Sequence, residues 1–489
     1  MKISEIISGI ETESITGTYD KEITSLGFDS RSVTANQMFF AQKGTASDGH
    51  AHIPEAVRKG ASAVVCERLP EELDPNVTYI KVKNTQSAMG RMASSFYGNP
   101  SSSLKLIGVT GTNGKTTIAT LLYDMFRSLG HKTGLISTVV YKIDSTEIPS
   151  THTTPDAIKL NSLLASMVAC GCDWCFMEVS SHSIVQERIA GLNFAGGIFT
   201  NLTHDHLDYH GTFAEYIRAK KQFFDQLPQS AFALVNSDDR NGTVMIQNTA
   251  AKVSTYSLKH FSDFRCRIQE HTPEGMLLKL DGDEVWTRFS GGFNASNLTA
   301  VYAAAILCGA DRAETLKILS TLTPVRGRFE TLRLADNITA IVDYAHTPDA
   351  LRNVIDTINE IRNGDSRLIV VVGCGGNRDK TKRPEMALIA TENTDMAIFT
   401  SDNPRNEKPE DILADMTAEL VVSPKWLTIT DRRQAIRTAA AIAHKGDYIL
   451  IAGKGHETYQ IIGGETLHFD DREEILKCYP AEPCATRIR

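Results

Sequence analysis

Nine residues, "VTGTNGKTT" from Val109 to Thr117, combine the types that hold phosphate: two glycines, a lysine and adjacent threonines. The apolar stretch "LKLIGVT" runs straight into them. "TTIATLLYDMFRSLG" follows with helical periodicity and stops at Gly130. A strand, a Gly-rich turn and a helix N-terminus together aim backbone N–H groups at an anion. Gly111 and Gly114 let the main chain come close, with Thr112 and Asn113 between them. Lys115 is placed to reach the outer phosphates of a nucleotide, Thr116 offers a hydroxyl to Mg²⁺, and Thr117 continues the first turn. The usual spacing of such loops would put a glycine at position 109, where this chain has Val109.

Other chemistry-bearing residues sit where apolar runs end. "EVSSH" places Glu178 at such an end; a carboxylate there either holds Mg²⁺ against a nucleotide or serves as a helix cap. "NLTHDHLDYHG" gathers His204, His206, His210, Asp205 and Asp208, a mixed set that suits zinc or a harder metal. "YIRAKKQFF" carries Lys220 and Lys221 on a helical pattern, which by itself reads as a solvated basic face. "GGFNASN" sets Asn294 and Asn297 three apart on one face or turn, and "GRFE" and "VDYAHTPDA" add Arg328, Asp343 and His346. Three further turns, "GCGGNRDKTKRP", "SDNPRNEKP" and "AGKGHE", follow buried-strand patterns toward the C-terminus. In open α/β sheets, ligands bind beyond the carboxyl ends of strands, so these turns mark a second binding site.

The elements that must position these residues alternate strand and helix throughout, so the fold class is α/β. The length of 489 residues calls for more than one core. A first segment covers residues 1–100 and ends in the linker-like "NPSSS"; a second covers 101–330; a third covers 331–489. Hydrophobic residues make up 42% and charged residues 22%, which excludes a disordered chain. A formal net charge of -8 argues against a general nucleic-acid binder. Positive charge for anionic substrates must therefore come from the loop, a few arginines and metal. No apolar run reaches bilayer length, and no signal-peptide core opens the chain. Nine scattered cysteines fit a reduced, cytoplasmic protein, and Cys170, Cys172 and Cys175 read as buried thiols rather than zinc ligands.

"GVTGTNGKTT" resembles the signature of the Mur ligases and folylpolyglutamate synthases, ATP-dependent enzymes that make amide bonds, and the resemblance continues along essentially the whole chain. It implies a central P-loop domain with a mostly parallel sheet, a C-terminal Rossmann-like domain for the amino acid, and a smaller N-terminal α/β domain for a uridine nucleotide sugar. It implies ATP and Mg²⁺ at Gly111 to Thr117, Asn294, Asn297, Arg328 and Asp343. Glu178, His206 and Thr116 match metal ligands. Lys220 matches a lysine that carries a CO₂-derived carbamate, and Lys115, Glu178, His206 and Lys220 then form the catalytic group.

The same resemblance assigns the substrates. Thr153 and Thr154 ("TTPD"), Ser180, Gln186 and Arg188 match residues that hold the muramoyl dipeptide, and Ser30 in "FDSRSV", with "GTASDGH" nearby, matches the uridine region. Arg378, Asp402, Asn403, Pro404, Arg405, Gly453 and Glu457 match an amino-acid site, and D-N-P-R accompanies family members that add meso-diaminopimelate rather than L-lysine. Two guanidinium groups can grip the extra carboxylate of diaminopimelate, while Glu457 or Asp402 takes an ammonium. The expected reaction activates the D-glutamyl γ-carboxylate of UDP-N-acetylmuramoyl-L-alanyl-D-glutamate as an acyl phosphate, which the diamine attacks. A monomer is expected. The rival readings are another ligase of the same family, or a P-loop ATPase switch that makes no bond. The segment before the loop and the D-N-P-R turn speak against the first, and an arginine-lined turn speaks against the second.

Overall fold

The computed structural model describes residues 1–44 and 47–479; Thr45 and Ala46 of the "GTASDGH" turn lie outside the described residues. Three sheets follow one another along the chain, each with an apolar cluster on both faces. Their central strands are continuous apolar runs, as burial on two faces requires.

The first sheet orders its strands Ser14–Thr16, Thr78–Lys81, Ala61–Cys66, Gln37–Phe40 and Ser25–Gly27. It is parallel except for its first edge strand. The helix Thr85–Phe96, capped by Asn84, covers one face and packs against the helix Ala157–Ala169 of the next sheet.

The second sheet has eleven strands. At its centre Lys105–Thr110 lies parallel between Trp174–Glu178 and Phe194–Phe199. The register pairs Val109 with Glu178 and Thr110 with Phe199, so three strands end side by side. The helix Lys115–Ser128 leaves the first of these ends, burying Ile118, Leu121, Leu122, Met125 and Phe126 against the sheet. The apolar helix Gly292–Leu307 packs on the same face. The mostly parallel arrangement expected from sequence holds at the centre. Two antiparallel additions absent from that reading extend the edges: Val140–Ile143 with Thr146–Pro149, and Phe264–Thr272 with Gly275–Leu280 and Asp283–Thr287.

The third sheet orders Glu330–Arg333, Thr339–Asp343, Tyr448–Ala452, Leu368–Val372, Met396–Phe399 and Trp426–Thr428, parallel from its second strand onward. Asp343, Ala452, Val372 and Phe399 are register neighbours, so the four turns that follow them open along one edge. A separate hairpin, Tyr459–Ile462 with Glu465–His468, stands beside that edge. Among the described residues, no helix is long and apolar enough to cross a membrane.

Candidate active site

The phosphate loop begins two residues later than the usual spacing predicts. Val109 is fully buried inside the strand, and the turn opens at Gly111 with φ +148°. A Cβ at Gly111 would overlap Thr200 Oγ1, and one at Gly114, φ +86°, would lie 2.5 Å from Asn297 Oδ1. Both positions require glycine because protein already occupies the space a side chain would take. Residues 200–203 brace the loop from the neighbouring strand end: Thr200 Oγ1 donates to Asn113 O at 2.6 Å, and Asn113 N donates to Asn201 Oδ1 at 2.9 Å. Thr112 Oγ1 accepts from Thr203 N at 3.0 Å and lies 3.1 Å from the Tyr216 hydroxyl. Asn294 turns back to Ser290 O at 2.8 Å, so only Asn297 of that pair meets the loop.

Two lysines converge on one carbonyl. Lys115 Nζ donates to Gly111 O at 3.0 Å and to Thr112 O at 2.8 Å, while Lys220 Nζ donates to Gly111 O at 2.8 Å. Lys220 is 1% exposed, which overturns its bare reading as a solvated face; Lys221 is largely covered as well, paired with Asp225 on the same helix. Burial, reinforced by Lys115, pushes the Lys220 amine well below the ordinary lysine range. Burial also lowers Lys115, against the pull of Glu178 and Asp205.

Glu178 is 1% exposed, and its Oε1 accepts Thr138 N at 2.7 Å. No salt bridge to it occurs among the described residues. A buried carboxylate without a cation partner calls for a positive ligand. His206, with φ 55°, caps the short helix Leu207–His210, its Nε2 lying 3.3 Å from Asp205 Oδ2. Burial pulls its imidazole down to about 3 against the opposing pull of Asp205, so its ring is neutral and free to ligate. Among the described residues no three His, Cys, Asp or Glu gather as a ready-made metal set. A set completed by a threonine hydroxyl and a modified lysine would be of a different kind. Its donors, oxygen-rich with one imidazole, suit Mg²⁺.

Beside Glu178 lies a hydroxyl- and arginine-lined wall. Thr154 Oγ1 donates to Glu178 O at 2.8 Å, and Thr138 Oγ1 donates to Thr153 Oγ1 at 3.0 Å. Ser180 caps the helix Ser181–Val185. Arg188 donates through Nη1 to Thr154 O at 2.6 Å and through Nε and Nη2 to Gln186 Oε1 at 3.0 and 2.6 Å. Gln186 in turn donates to the Tyr209 hydroxyl at 3.1 Å, and His182 stacks on Tyr209 with ring centroids 4.1 Å apart. Thr138, Tyr209 and His182 were not singled out from sequence. Ser30 lies apart on the first sheet, its Oγ donating to Glu55 Oε2 at 2.8 Å. Its neighbours Asp29 and Ser32 line a cavity of about 320 Å³ with Asp156 and Lys159, which joins the first sheet to the "TTPD" turn.

The third sheet faces the loop. Arg328 Nη2 donates to Thr116 Oγ1 at 3.0 Å, and its guanidinium lies 4.4 Å from the Tyr344 ring centre. Asn113 Nδ2 donates to Asp349 Oδ2 at 3.1 Å. Asp343 accepts Phe329 N at 2.6 Å, and burial raises its carboxyl to about 6 despite Arg328 nearby.

Along the third edge, the D-N-P-R turn is held by the hairpin. Gln460 Nε2 donates to Asp402 O at 2.7 Å, Ile461 N to Asn403 Oδ1 at 3.0 Å, Arg405 N to Ile461 O at 3.0 Å, and Gly463 N to Arg405 O at 2.7 Å. Gly453 backs Asp402: a Cβ there would lie 2.7 Å from Asp402 Oδ2. Arg405 Nη1 donates to Gly376 O at 2.8 Å, and a Cβ on Gly375 would lie 3.0 Å from that nitrogen and 3.7 Å from Arg378 Cγ. The two arginines thus approach one glycine turn. Arg405 is half-buried and Arg378 exposed, because the turn opens on the sheet edge. Glu457 is also not a bare acceptor: Lys454 and Asn403 already hold one of its oxygens. Elsewhere, Cys170 is exposed beyond the end of its helix, while Cys172 and Cys175 are buried as expected.

Fold and site together define a P-loop α/β protein with a second, arginine-bearing turn cluster placed across from the loop. Three family models match in chain order: Mur ligase family, catalytic domain, over residues 22–97; Mur ligase middle domain over 109–305; and Mur ligase, glutamate ligase domain, over 327–455. A curated relative from Phocaeicola vulgatus, UDP-N-acetylmuramoyl-L-alanyl-D-glutamate--2,6-diaminopimelate ligase, is 57% identical over 99% of this chain and 100% of its own length. A protein of the same name from Geobacillus thermodenitrificans is 43% identical over 96% of this chain and 98% of its own. A solved structure of an enzyme bearing that name aligns with TM-score 0.69 at 32% identity, covering 98% of both chains. The MurF ligase of Thermotoga maritima in complex with ADP shares the fold, with TM-score 0.62 at 18% identity over 94% of this chain and 97% of its own. This chain belongs to the Mur ligase family.

Proposed function

We propose that this chain adds meso-2,6-diaminopimelate to the D-glutamyl γ-carboxylate of UDP-N-acetylmuramoyl-L-alanyl-D-glutamate, a step in building the peptidoglycan precursor. It is an ATP-dependent ligase that forms a C–N bond. The γ-phosphoryl group of ATP passes to a carboxylate oxygen, giving an acyl phosphate and ADP. The amine lone pair then attacks the acyl carbon, the C–O bond to phosphate breaks, and inorganic phosphate leaves. A free carboxylate spreads its charge over two oxygens and is a poor electrophile, which is why activation comes first.

The observation that carries this reading is buried Glu178, whose carbonyl anchors the wall Thr154–Gln186–Arg188 and whose charge pulls on the loop lysine, together with a D-N-P-R turn on the edge of the third sheet. The loop N–H groups and Lys115 bind phosphate oxygens and offset the charge of the transferring group. Arg188, Thr153, Thr154, Ser180 and Gln186 orient the peptide, and Ser30 with the adjoining cavity takes the uridine end. Arg378 and Arg405 receive the distal carboxylate, with Asp402, Asn403, Pro404, Gly453 and Glu457 shaping the rest of the amino-acid site. Asn297, Arg328 and Asp343 border the nucleotide, with Asn294 one turn behind.

Mg²⁺ fits Thr116, Glu178 and His206, and it would neutralise charge on the phosphates. The neutral Lys220 amine is the form that captures CO₂: its lone pair bonds the carbon and a proton leaves. The resulting carbamate puts an anion with oxygen donors beside Lys115, where a protonated Lys220 would have been repelled. Catalysis then rests on positioning and charge rather than on a protein nucleophile. We place the functional boundaries near residue 100, between the first two matched regions, and near residue 330, just inside the start of the third at 327. We also place the chain in the cytoplasm as a monomer; the eight cysteines among the described residues are all free, which accords with a reducing compartment.

The test supplies ATP and Mg²⁺ with the muramoyl dipeptide and offers diaminopimelate or L-lysine in turn, with products weighed by mass spectrometry. Diaminopimelate product with little lysine product is expected. Equal rates for the two amino acids, or ATP turnover with neither product, would overturn the reading.

A further inference from the structure

Lys454 is a buried ammonium that the proposed chemistry leaves without a role. Its side chain is 0% exposed. Its Nζ lies 2.9 Å from Glu457 Oε2 and 3.2 Å from Asn403 Oδ1, and 5.5 Å from the Tyr459 ring centre. Asn403 closes the triangle, its Nδ2 donating to the same Glu457 Oε2 at 2.8 Å. That oxygen is therefore pinned twice. Glu457 Oε1 accepts no protein hydrogen bond among the described residues, so one lone-pair face of the carboxylate stays available.

The carboxylate needs this help. Burial and the nearby Asp402 both push Glu457 toward its neutral form, and Lys454 is the cation that opposes them by direct contact. Arg432 faces the same pair from its helix but is committed to Asp471 at 2.7 Å, and Tyr344 and Tyr459 bring only phenols. A protonated Glu457 could not accept from an ammonium with full charge.

Resting on the amino-acid site proposed above, we infer that Lys454 is a positioning residue for the incoming amine. It fixes one oxygen of Glu457, keeps the group ionised beside Asp402, and so presents the other oxygen to an ammonium of the amino-acid substrate.

The test compares Lys454→Met and Lys454→Gln with the unaltered full chain, reading KM for diaminopimelate, KM for ATP and kcat from about pH 6.5 to 8.5. Without Lys454 the Glu457 carboxyl titrates higher, so binding is lost at the acid end and returns as pH rises. KM for diaminopimelate should increase roughly tenfold near neutrality, the scale of one charged hydrogen bond, and fall toward the normal value with rising pH. KM for ATP should stay within about twofold, because none of the hydrogen bonds of this triangle is made to the loop. Lys454→Gln keeps a donor to Glu457 and Asn403 without the charge, so it serves if the methionine variant does not fold. A diaminopimelate KM profile in the glutamine variant parallel to that of the unaltered enzyme would overturn the inference. Glu457→Gln separates the two levels. If it raises KM for diaminopimelate while the Lys454 variants do not shift the profile, only the inference fails. If it leaves KM unchanged, the assignment of Glu457 to the amino-acid site fails as well.

Discussion

At the scale of single residues, the arginines of the third sheet show how exposure sets the size of an effect. Arg405 is half-buried, its backbone held at φ 53° and both its N–H and C=O taken by the hairpin, so its side chain is aimed by main chain rather than by packing. Truncating one partner of a buried charged pair costs about 2 to 5 kcal/mol, and partial exposure places this case at the lower end. Arg405→Ala is therefore expected to lower kcat/KM for diaminopimelate by roughly 30-fold while leaving KM for ATP near normal. Steady-state kinetics with each substrate varied in turn decides it; equal losses for both substrates would point to a collapsed turn instead. Arg405→Lys should recover little, since an ammonium cannot reproduce a two-pronged grip on a carboxylate.

At the scale of elements, strand register does the assembling. Lys105–Thr110, Trp174–Glu178 and Phe194–Phe199 end together, and this alone brings Gly111, Glu178 and Thr200 within reach of one another. The loop then depends on a missing side chain at residue 111. Gly111→Ala must either displace Thr200 or leave φ +148°, so it should raise KM for ATP at least tenfold and lower the melting temperature by several degrees. Retained nucleotide affinity by calorimetry would show that the loop has slack the geometry denies. Much of this level was legible in the sequence, because apolar runs that stop at Gly, Asp or Asn are the mark of buried parallel strands. The edge ribbons were not legible: Phe264–Thr272 alternates poorly, with only Cys266 buried among its nine positions. Nor were the partners that fix the site. Thr138, Asp349 and Lys454 act across 40, 236 and 51 residues on Glu178, Asn113 and Asn403, and nothing local in the chain announces such pairings. Lys220 was legible only through its likeness to a family, since its burial beneath the loop depends on a carbonyl 109 residues away.

At the scale of the whole molecule, the loop-bearing sheet and the third sheet meet at the nucleotide end through a few polar contacts. Arg328 reaches Thr116 and Asp349 reaches Asn113, and a backbone approach of Gly327 to Gly455 and His456 ties the connecting turn to the amino-acid edge. Small polar interfaces of this kind favour relative motion of the bodies they join. The contacts are also made by loop residues that nucleotide would engage, so binding must rearrange them: a metal at Thr116 would repel Arg328 unless phosphate charge lay between. An acyl phosphate exposed to water would hydrolyse, so productive turnover needs the third sheet drawn over the site once both nucleotide and peptide are present. Small-angle scattering checks this directly. Adding a non-hydrolysable ATP analogue together with the muramoyl dipeptide should reduce the radius of gyration, and either ligand alone should reduce it less. Asp349→Ala should shift the ligand-free profile while sparing the liganded one, because it removes a contact of the resting arrangement only. Superimposable profiles in all states would mean that the bodies are already locked, and that water is excluded by the loop and the peptide wall alone.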